Sequence, residues 1–215
     1  MKVVAVIPAY NEEKRIGDMI RKTKKYVNKI IVVDDGSVDE TAAVAKKYGA
    51  HVITYRKNKG VGYASRIGLQ VALKFEPKTI VFLDGDGQHD PKYIPRFIEA
   101  IKNGADYVVG WRDLSNYPLD RKIGNWGLTL LTNLICPTGI RDTECGYRAI
   151  KLNAAKKVTL KANRYGREMD FCFAAWRNKF KIAQIKITVP TYHPKFAITR
   201  GFKNFYYLIG RRLGI

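Results

Sequence analysis

The sequence predicts an α/β fold, a doubly wound and mostly parallel sheet with flanking helices. Three observations carry this. Continuous apolar runs at residues 3–7, 30–33 and 80–83 suit strands buried on both faces. Helical patterns alternate with them at the pitch of βα units. The runs stop near Pro8, Asp34 and Asp84, which puts polar groups at strand carboxyl ends, where open α/β sheets bind ligands.

Along the chain, Pro8-Ala9-Tyr10-Asn11 breaks the first strand, and Glu12, Glu13 and Ile16 open an amphipathic helix to about Tyr26. The second run ends in Asp34-Asp35-Gly36-Ser37, and Asp39 or Ser37 suits the cap of a helix over 42–48. Residues 51–55 read as a third strand, followed by a basic turn at 56–60 and a helix over 63–75. After Asp84, Asp90 suits an N-cap and Pro91 a first helical position for a helix to about Asn103. A strand at 107–109 leads into an irregular basic stretch, 111–125, and a helix begins near 122 and ends at 135. Residues 142–150 read as a loop entering a short strand, 168–178 as a helix, and 182–189 alternate like an edge strand. Phe202, Phe205, Tyr206, Ile209 and Leu213 recur at helical spacing, with Lys203, Arg211 and Arg212 on the flanks. Residues 1–200 therefore form one domain, and 201–215 an amphipathic segment that joins it or contacts a membrane surface.

The 215 residues suffice for one sizeable core. Charge is the outlier: 39 Lys plus Arg against 19 Asp plus Glu give +20. That excess points to polyanionic company, such as phosphorylated substrates, anionic headgroups or nucleic acid. No helix-turn-helix pattern or aromatic–basic RNA platform accompanies it, so nucleic acid is not expected. Cys136, Cys145 and Cys172 lack zinc or disulfide spacing and suit a reducing compartment. The most apolar long segment, 126–135, is about half the ~20 residues a span requires.

The stretch TIVFLDGDGQHDP at 79–91 organises the rest. Asp84, Asp86 and Gln88 present two carboxylates and an amide oxygen at alternate positions, a hard donor set suited to Mg²⁺ or Mn²⁺ held with a substrate diphosphate. Gly85 and Gly87 permit the tight turn, and His89 reads as polar surface. Gly60-Val61-Gly62 lacks the third glycine of a dinucleotide fingerprint, since Ser65 stands there. It reads instead as a turn that lets Lys59 and the following helix face an anion, or as a plain glycine pair. Asp35 suits a nucleobase edge or ribose, flanked by Pro8, Tyr10 and Glu12 from the neighbouring strand end.

Taken in order, VIPAYNEEKRI, VVDDGSVDET, NKGVGYASRIGL, FLDGDGQHDP and DTECGYRAI resemble glycosyltransferase family 2, whose members have the GT-A fold. The resemblance covers roughly residues 2–150 well and is strongest to the polyprenyl-phosphate (dolichyl-phosphate) mannose and glucose synthases. It implies that Pro8, Tyr10, Glu12, Val33 and Asp35 hold the nucleoside, and that Asp84, Gly85, Asp86 and Gln88 form the metal and diphosphate turn. It implies that Arg112 faces the phosphates and Arg121 the acceptor phosphate, with Asn125 where the family has serine. Lys195 and Arg200 fall at the basic late loop, where Thr199-Arg200 replaces Ser-Lys.

The implied enzyme is an inverting, metal-dependent transferase, moving a hexose from GDP-mannose or UDP-glucose to a polyprenyl phosphate at the cytoplasmic membrane face. A phosphate monoester needs no general base, because its second pKa is about 6. A sugar or lipid hydroxyl acceptor is the alternative and does need one; Asp142, Glu168 and Asp170 are its candidates. A basic nucleic-acid module and a nucleotidyltransferase are the remaining rivals. The C-terminal amphipathic helix, through Phe202, Phe205, Tyr206 and Ile209, is expected either at an anionic membrane surface or packed on its own domain. A membrane-anchoring partner subunit is compatible with either.

Overall fold

The computed structural model describes residues 2–115, 117–164, 166–189 and 198–214, with side chains of 198–202 left aside. Lys195 and the Arg200 side chain lie outside this set. Seven strands form one sheet in the order β3-β2-β1-β4-β6-β5-β7. They are β1 (Val3–Ala9), β2 (Lys29–Asp34), β3 (His51–Thr54), β4 (Thr79–Phe82), β5 (Tyr107–Arg112), β6 (Arg148–Lys151) and β7 (Ile182–Ile187). All neighbours run parallel except β6, which is antiparallel to both β4 and β5. Strand β7 lies at the edge, as its alternation predicts.

Every residue of β1 and β4 is buried, which is what continuous apolar runs require at the centre of a sheet covered on both faces. The helices are α1 (Glu13–Thr23), α2 (Thr41–Lys47), α3 (Val61–Leu73), α4 (Ile94–Lys102), α5 (Leu119–Ile135), α6 (Leu152–Ala155), α7 (Arg167–Arg177) and α8 (Ile198–Leu213). Asp90 caps the 3-10 turn before α4 by accepting the Lys92 amide at 2.9 Å, with Pro91 next, as expected. Helix α5 begins three residues earlier than its periodicity suggests, at Leu119, and the short α6 was not legible in the pattern. At Gly68 of α3 a Cβ would come 2.3 Å from Val6 Cγ1, so glycine there sets how closely the helix lies on β1.

The register fixes the functional end. Ala9 pairs with Asp34, and Val6 with Phe82, so the carboxyl ends of β1, β2 and β4 come out side by side.

Helix α8 packs on its own domain. Asn204 and Leu208 are buried, Tyr207 donates to Asp170 at 2.8 Å, and Arg211 lies 2.9 Å from the same carboxylate. Asp170 also accepts the amides of Lys161 and Ala162 at 2.7 and 2.8 Å, so one buried carboxylate ties α7, α8 and the 159–162 loop. Among the described residues no helix is long and apolar enough to cross a membrane.

Arg148 is fully buried at the start of β6. Its guanidinium donates to the carbonyls of Cys145 and Thr143, each at 2.7 Å, and to the Tyr107 hydroxyl, beside the Phe171 ring. A buried cation solvated by carbonyls cannot be shortened without orphaning them. Arg148→Lys should lower the unfolding free energy by roughly 2–4 kcal/mol, read from urea denaturation.

Candidate active site

Two backbone hydrogen bonds extend the sheet past its ladders and build the site. Asp35 N–H donates to the Ala9 carbonyl at 2.8 Å, and Gly85 N–H to the Pro8 carbonyl at 3.1 Å. The loops after β1 and β2 are further tied by Asn11, whose amide donates to Ser37 Oγ at 2.9 Å and whose side chain accepts Val38 N–H at 3.0 Å. At these strand ends lies a cleft of ≈ 400 Å³ whose lining includes Pro8, Tyr10, Glu12 and Asp35 together with Asp84, Gly85 and Asp86. The residues expected for the nucleoside and those expected for the metal turn thus share one cavity. Gln88 and Val33 are not among its lining; Val33 is fully buried, its side chain turned toward α3 at Gly68, and it serves the core.

Asp35 is buried and holds three donors. Its carboxylate accepts the Tyr55 hydroxyl at 2.7 Å and the amides of Lys59 and Gly60 at 2.8 and 2.7 Å. It therefore shapes the 55–60 loop as well as lining the cleft. At the amino end of α3 the anion met is Asp35 itself, through the Gly60 amide. Gly62 and Tyr63 donate to the carbonyls of Arg164 and Asn163 at 3.3 and 2.7 Å, and a Cβ on Gly62 would come 2.4 Å from the Ala162 carbonyl. Lys59 lies over the Tyr63 ring. The glycine pair exists for the 162–164 loop to pass, and that loop delivers Arg164 to the cleft.

At the end of β4, Asp84 is held by Arg167 from α7, Nη1 to Oδ1 at 3.0 Å. Burial works to raise its pKa, but the charges of Arg167 and His89 outweigh it and bring the group down to about 2. His89 is buried rather than surface, and its Nδ1 accepts the Asp84 amide at 3.0 Å. Asp86 goes the other way: burial and then the charge of Asp84 push it above the usual carboxylate range. Gln88 donates to Asp86 from its backbone at 3.0 Å and from Nε2 at 2.8 Å. These two bonds orient Asp86.

Two carboxylates lining one cleft, Asp84 and Asp86, fit a hard divalent cation. Among the described residues no group of three His, Cys, Asp or Glu side chains stands together to cage one. A cation held by Asp84 and Asp86 would then take its remaining oxygens from a diphosphate and water, the manner typical of Mg²⁺.

Arg112, at the end of β5, is clamped by Asp142 through Nε at 2.7 Å and Nη2 at 2.9 Å. Asn125 of α5 donates to the same carboxylate at 3.0 Å. Burial raises the Asp142 pKa, yet Arg112 more than offsets it and keeps the group below the usual value. With both oxygens engaged, Asp142 positions Arg112 and is not a free base. Glu168 accepts Arg167 Nε at 2.8 Å, and Asp170 is saturated by α8 and the 161–162 amides. All three expected bases are engaged. Arg121 lies half-buried near the start of α5.

Sequence reasoning missed Arg167, Arg164, Glu144 and Gly146. The last two sit inside DTECGYRAI, so the signal was a motif whose glycine had no assigned purpose. A Cβ on Gly146 would lie 2.5 Å from Asp84 Oδ2 and 2.6 Å from Arg167 Nη2. Gly146→Ala should therefore displace this pair and lower turnover on the order of 10²-fold, as small misplacements do, measured with the purified variant. Glu144 accepts Asn204 Nδ2 at 3.3 and 3.2 Å, and burial, then Glu168, raises its pKa to about 7. Stability from this group is complete below its ordinary 4.5 and lost as pH rises through about 7. Glu144→Gln should flatten that decline in urea melts taken across this pH range.

The sequence profile described as Glycosyl transferase family 2 matches residues 4–200. UDP-N-acetylglucosamine–dolichyl-phosphate N-acetylglucosaminyltransferase of Methanococcus voltae is 32% identical over 99% of this chain and 96% of its own length. Undecaprenyl-phosphate mannosyltransferase of Micrococcus luteus is 29% identical over 87% of this chain and 83% of its own. Among solved structures, glucosyl-3-phosphoglycerate synthase from Mycobacterium tuberculosis, in complex with Mn²⁺ and UDP-glucose, superposes with a TM-score of 0.79 at 21% identity, covering 100% of this chain and 79% of that one. Fold, acidic turn and profile agree: the chain is a glycosyltransferase and belongs to glycosyl transferase family 2.

Proposed function

We propose that the protein transfers a hexose from a nucleoside-diphosphate sugar to a polyprenyl phosphate, with inversion, using Mg²⁺ or Mn²⁺. The observation that carries this is the shared cleft, lined by Pro8, Tyr10, Glu12 and Asp35 together with Asp84 and Asp86. Pro8, Tyr10 and Asp35 cradle the nucleoside, and the acidic turn receives the diphosphate. The relatives named above act on lipid-linked phosphates, one with a UDP-linked and one with a mannosyl donor, which widens the donor beyond GDP-mannose and UDP-glucose to UDP-N-acetylglucosamine.

The leaving diphosphate gains negative charge as the sugar becomes oxocarbenium-like. A divalent cation held by Asp84 and Asp86 supplies the charge that stabilises it. Arg112, locked in its fork with Asp142, offers a preorganised positive group that requires no reorganisation during the reaction. Arg167 keeps Asp84 ionised and fixed. Arg121 meets the acceptor phosphate. That phosphate is already dianionic at neutral pH, with a second pKa of about 6, and needs no base. The engagement of Asp142, Glu168 and Asp170 supports this acceptor over a hydroxyl. An acceptor with a lipid tail sets the work at the cytoplasmic face of a membrane, with the protein peripheral or anchored by a partner.

Asp86→Asn should leave the fold intact and reduce transfer on the order of 10³-fold, the scale of losing a principal electrostatic group. Thermal shift against UDP-glucose, UDP-N-acetylglucosamine and GDP-mannose, each with and without Mn²⁺, identifies the donor. The reading expects one nucleotide sugar to stabilise the wild type in a metal-dependent way. Stabilisation by none of them, or near-normal transfer by Asp86→Asn, overturns it.

A further inference from the structure

Helix α5 is amphipathic in the reverse sense. Its inward side carries polar groups: Asn125 donates to Asp142, Thr129 pairs with Thr143 at 3.3 Å, and Thr132 is fully buried against Met169. Its outward side carries Leu119, Ile123, Trp126, Leu130 and Leu134, which are 71, 58, 67, 44 and 70% exposed. At 3.6 residues per turn these five fall within an arc of about 80° and run for about 22 Å along the axis. A Cβ on Gly127, beside this stripe, would meet nothing within 4 Å. An apolar row of this size facing solvent marks a docking surface.

We infer that this face of α5 docks on an anionic lipid bilayer, lying in the interface with its axis along the membrane plane. The inference rests on the polyprenyl-phosphate reading and gives it a surface. Three features select a bilayer as the occupant. The row is shallow and linear, and Trp126 provides the amphipathic ring that favours the headgroup boundary. The protein carries +20, and α8, packed beside α5, presents Lys203 and Arg212 to solvent and contains no acidic residue. The guanidinium of Arg212 reaches the carbonyl of Ile135, so a cation sits where the apolar row ends. Finally, the opposite side of the same helix touches the site, through Asn125 on the Asp142–Arg112 fork. A helix seated at the headgroup level would bring a lipid-borne phosphate to the cleft without lifting the lipid from the membrane. The C-terminal helix, expected either at a membrane surface or packed on its own domain, is held on that domain by Asn204, Tyr207, Leu208 and Arg211.

The test is co-sedimentation with phosphatidylcholine vesicles, with and without phosphatidylglycerol, together with Trp emission quenched by brominated lipid. Wild type should bind the anionic vesicles in a salt-sensitive way and show quenched emission. Ile123→Ser combined with Leu130→Ser should weaken partitioning on the order of 10²-fold, with unchanged circular dichroism. Trp126→Phe should retain binding and lose most of the quenching. Equal partitioning by the double variant overturns the proposal. So does a lipid-free dimer in sedimentation velocity that the double variant dissociates, since the occupant would then be a second copy. Binding only through an added membrane protein overturns it as well. Nucleotide-sugar stabilisation, measured separately on the same proteins, keeps failure of the surface distinct from failure of the transferase reading.

Discussion

A carboxylate at the end of a buried strand stays ionised only if something replaces the water it has lost. At Asp84 that replacement is the Arg167 guanidinium, reaching across from α7 at 3.0 Å. Much of the site depends on this pair. It fixes the turn that carries Asp86, and it leaves room above for no side chain at all, which is why residue 146 is glycine. It also links the two halves of the sheet, because α7 follows the strands β5 and β6 while Asp84 belongs to the first, all-parallel half.

The same logic repeats around the cleft. Asp35 holds the 55–60 loop, Asp142 holds Arg112, and Asp170 holds α8 and the loop that leads to Arg164. In a protein with 39 basic and 19 acidic residues, the scarce buried carboxylates serve to place cations and amides. Asp86 differs, since it accepts two hydrogen bonds from Gln88 and its neighbour Asp84 repels it.

The two amphipathic helices near the site show why periodicity alone misleads. Helix α8 has the stronger apolar rhythm, but its Tyr207 and Arg211 find Asp170 and its Asn204 finds Glu144. Helix α5 mixes Thr and Asn with its leucines, and those polar residues turn inward because Asp142, Thr143 and Met169 are waiting for them. Which face of a helix points inward is decided by its neighbours as much as by hydrophobicity.

The sequence by itself determined the strands, their parallel order of use and the acidic turn, because continuous apolar runs and their abrupt polar stops are local and periodic. It also placed Pro8, Tyr10, Glu12, Asp35, Asp84 and Asp86 at strand ends bound for one cleft. Only the tertiary structure decided the antiparallel β6, the burial of His89, the capping of α3 by Asn163 and Arg164, and the engagement of Asp142. Each of these is a contact between residues far apart in the chain, such as Arg167 with Asp84 or Gly62 with Arg164. Neither spacing nor composition encodes such a distance; it exists only once the sheet has closed around it.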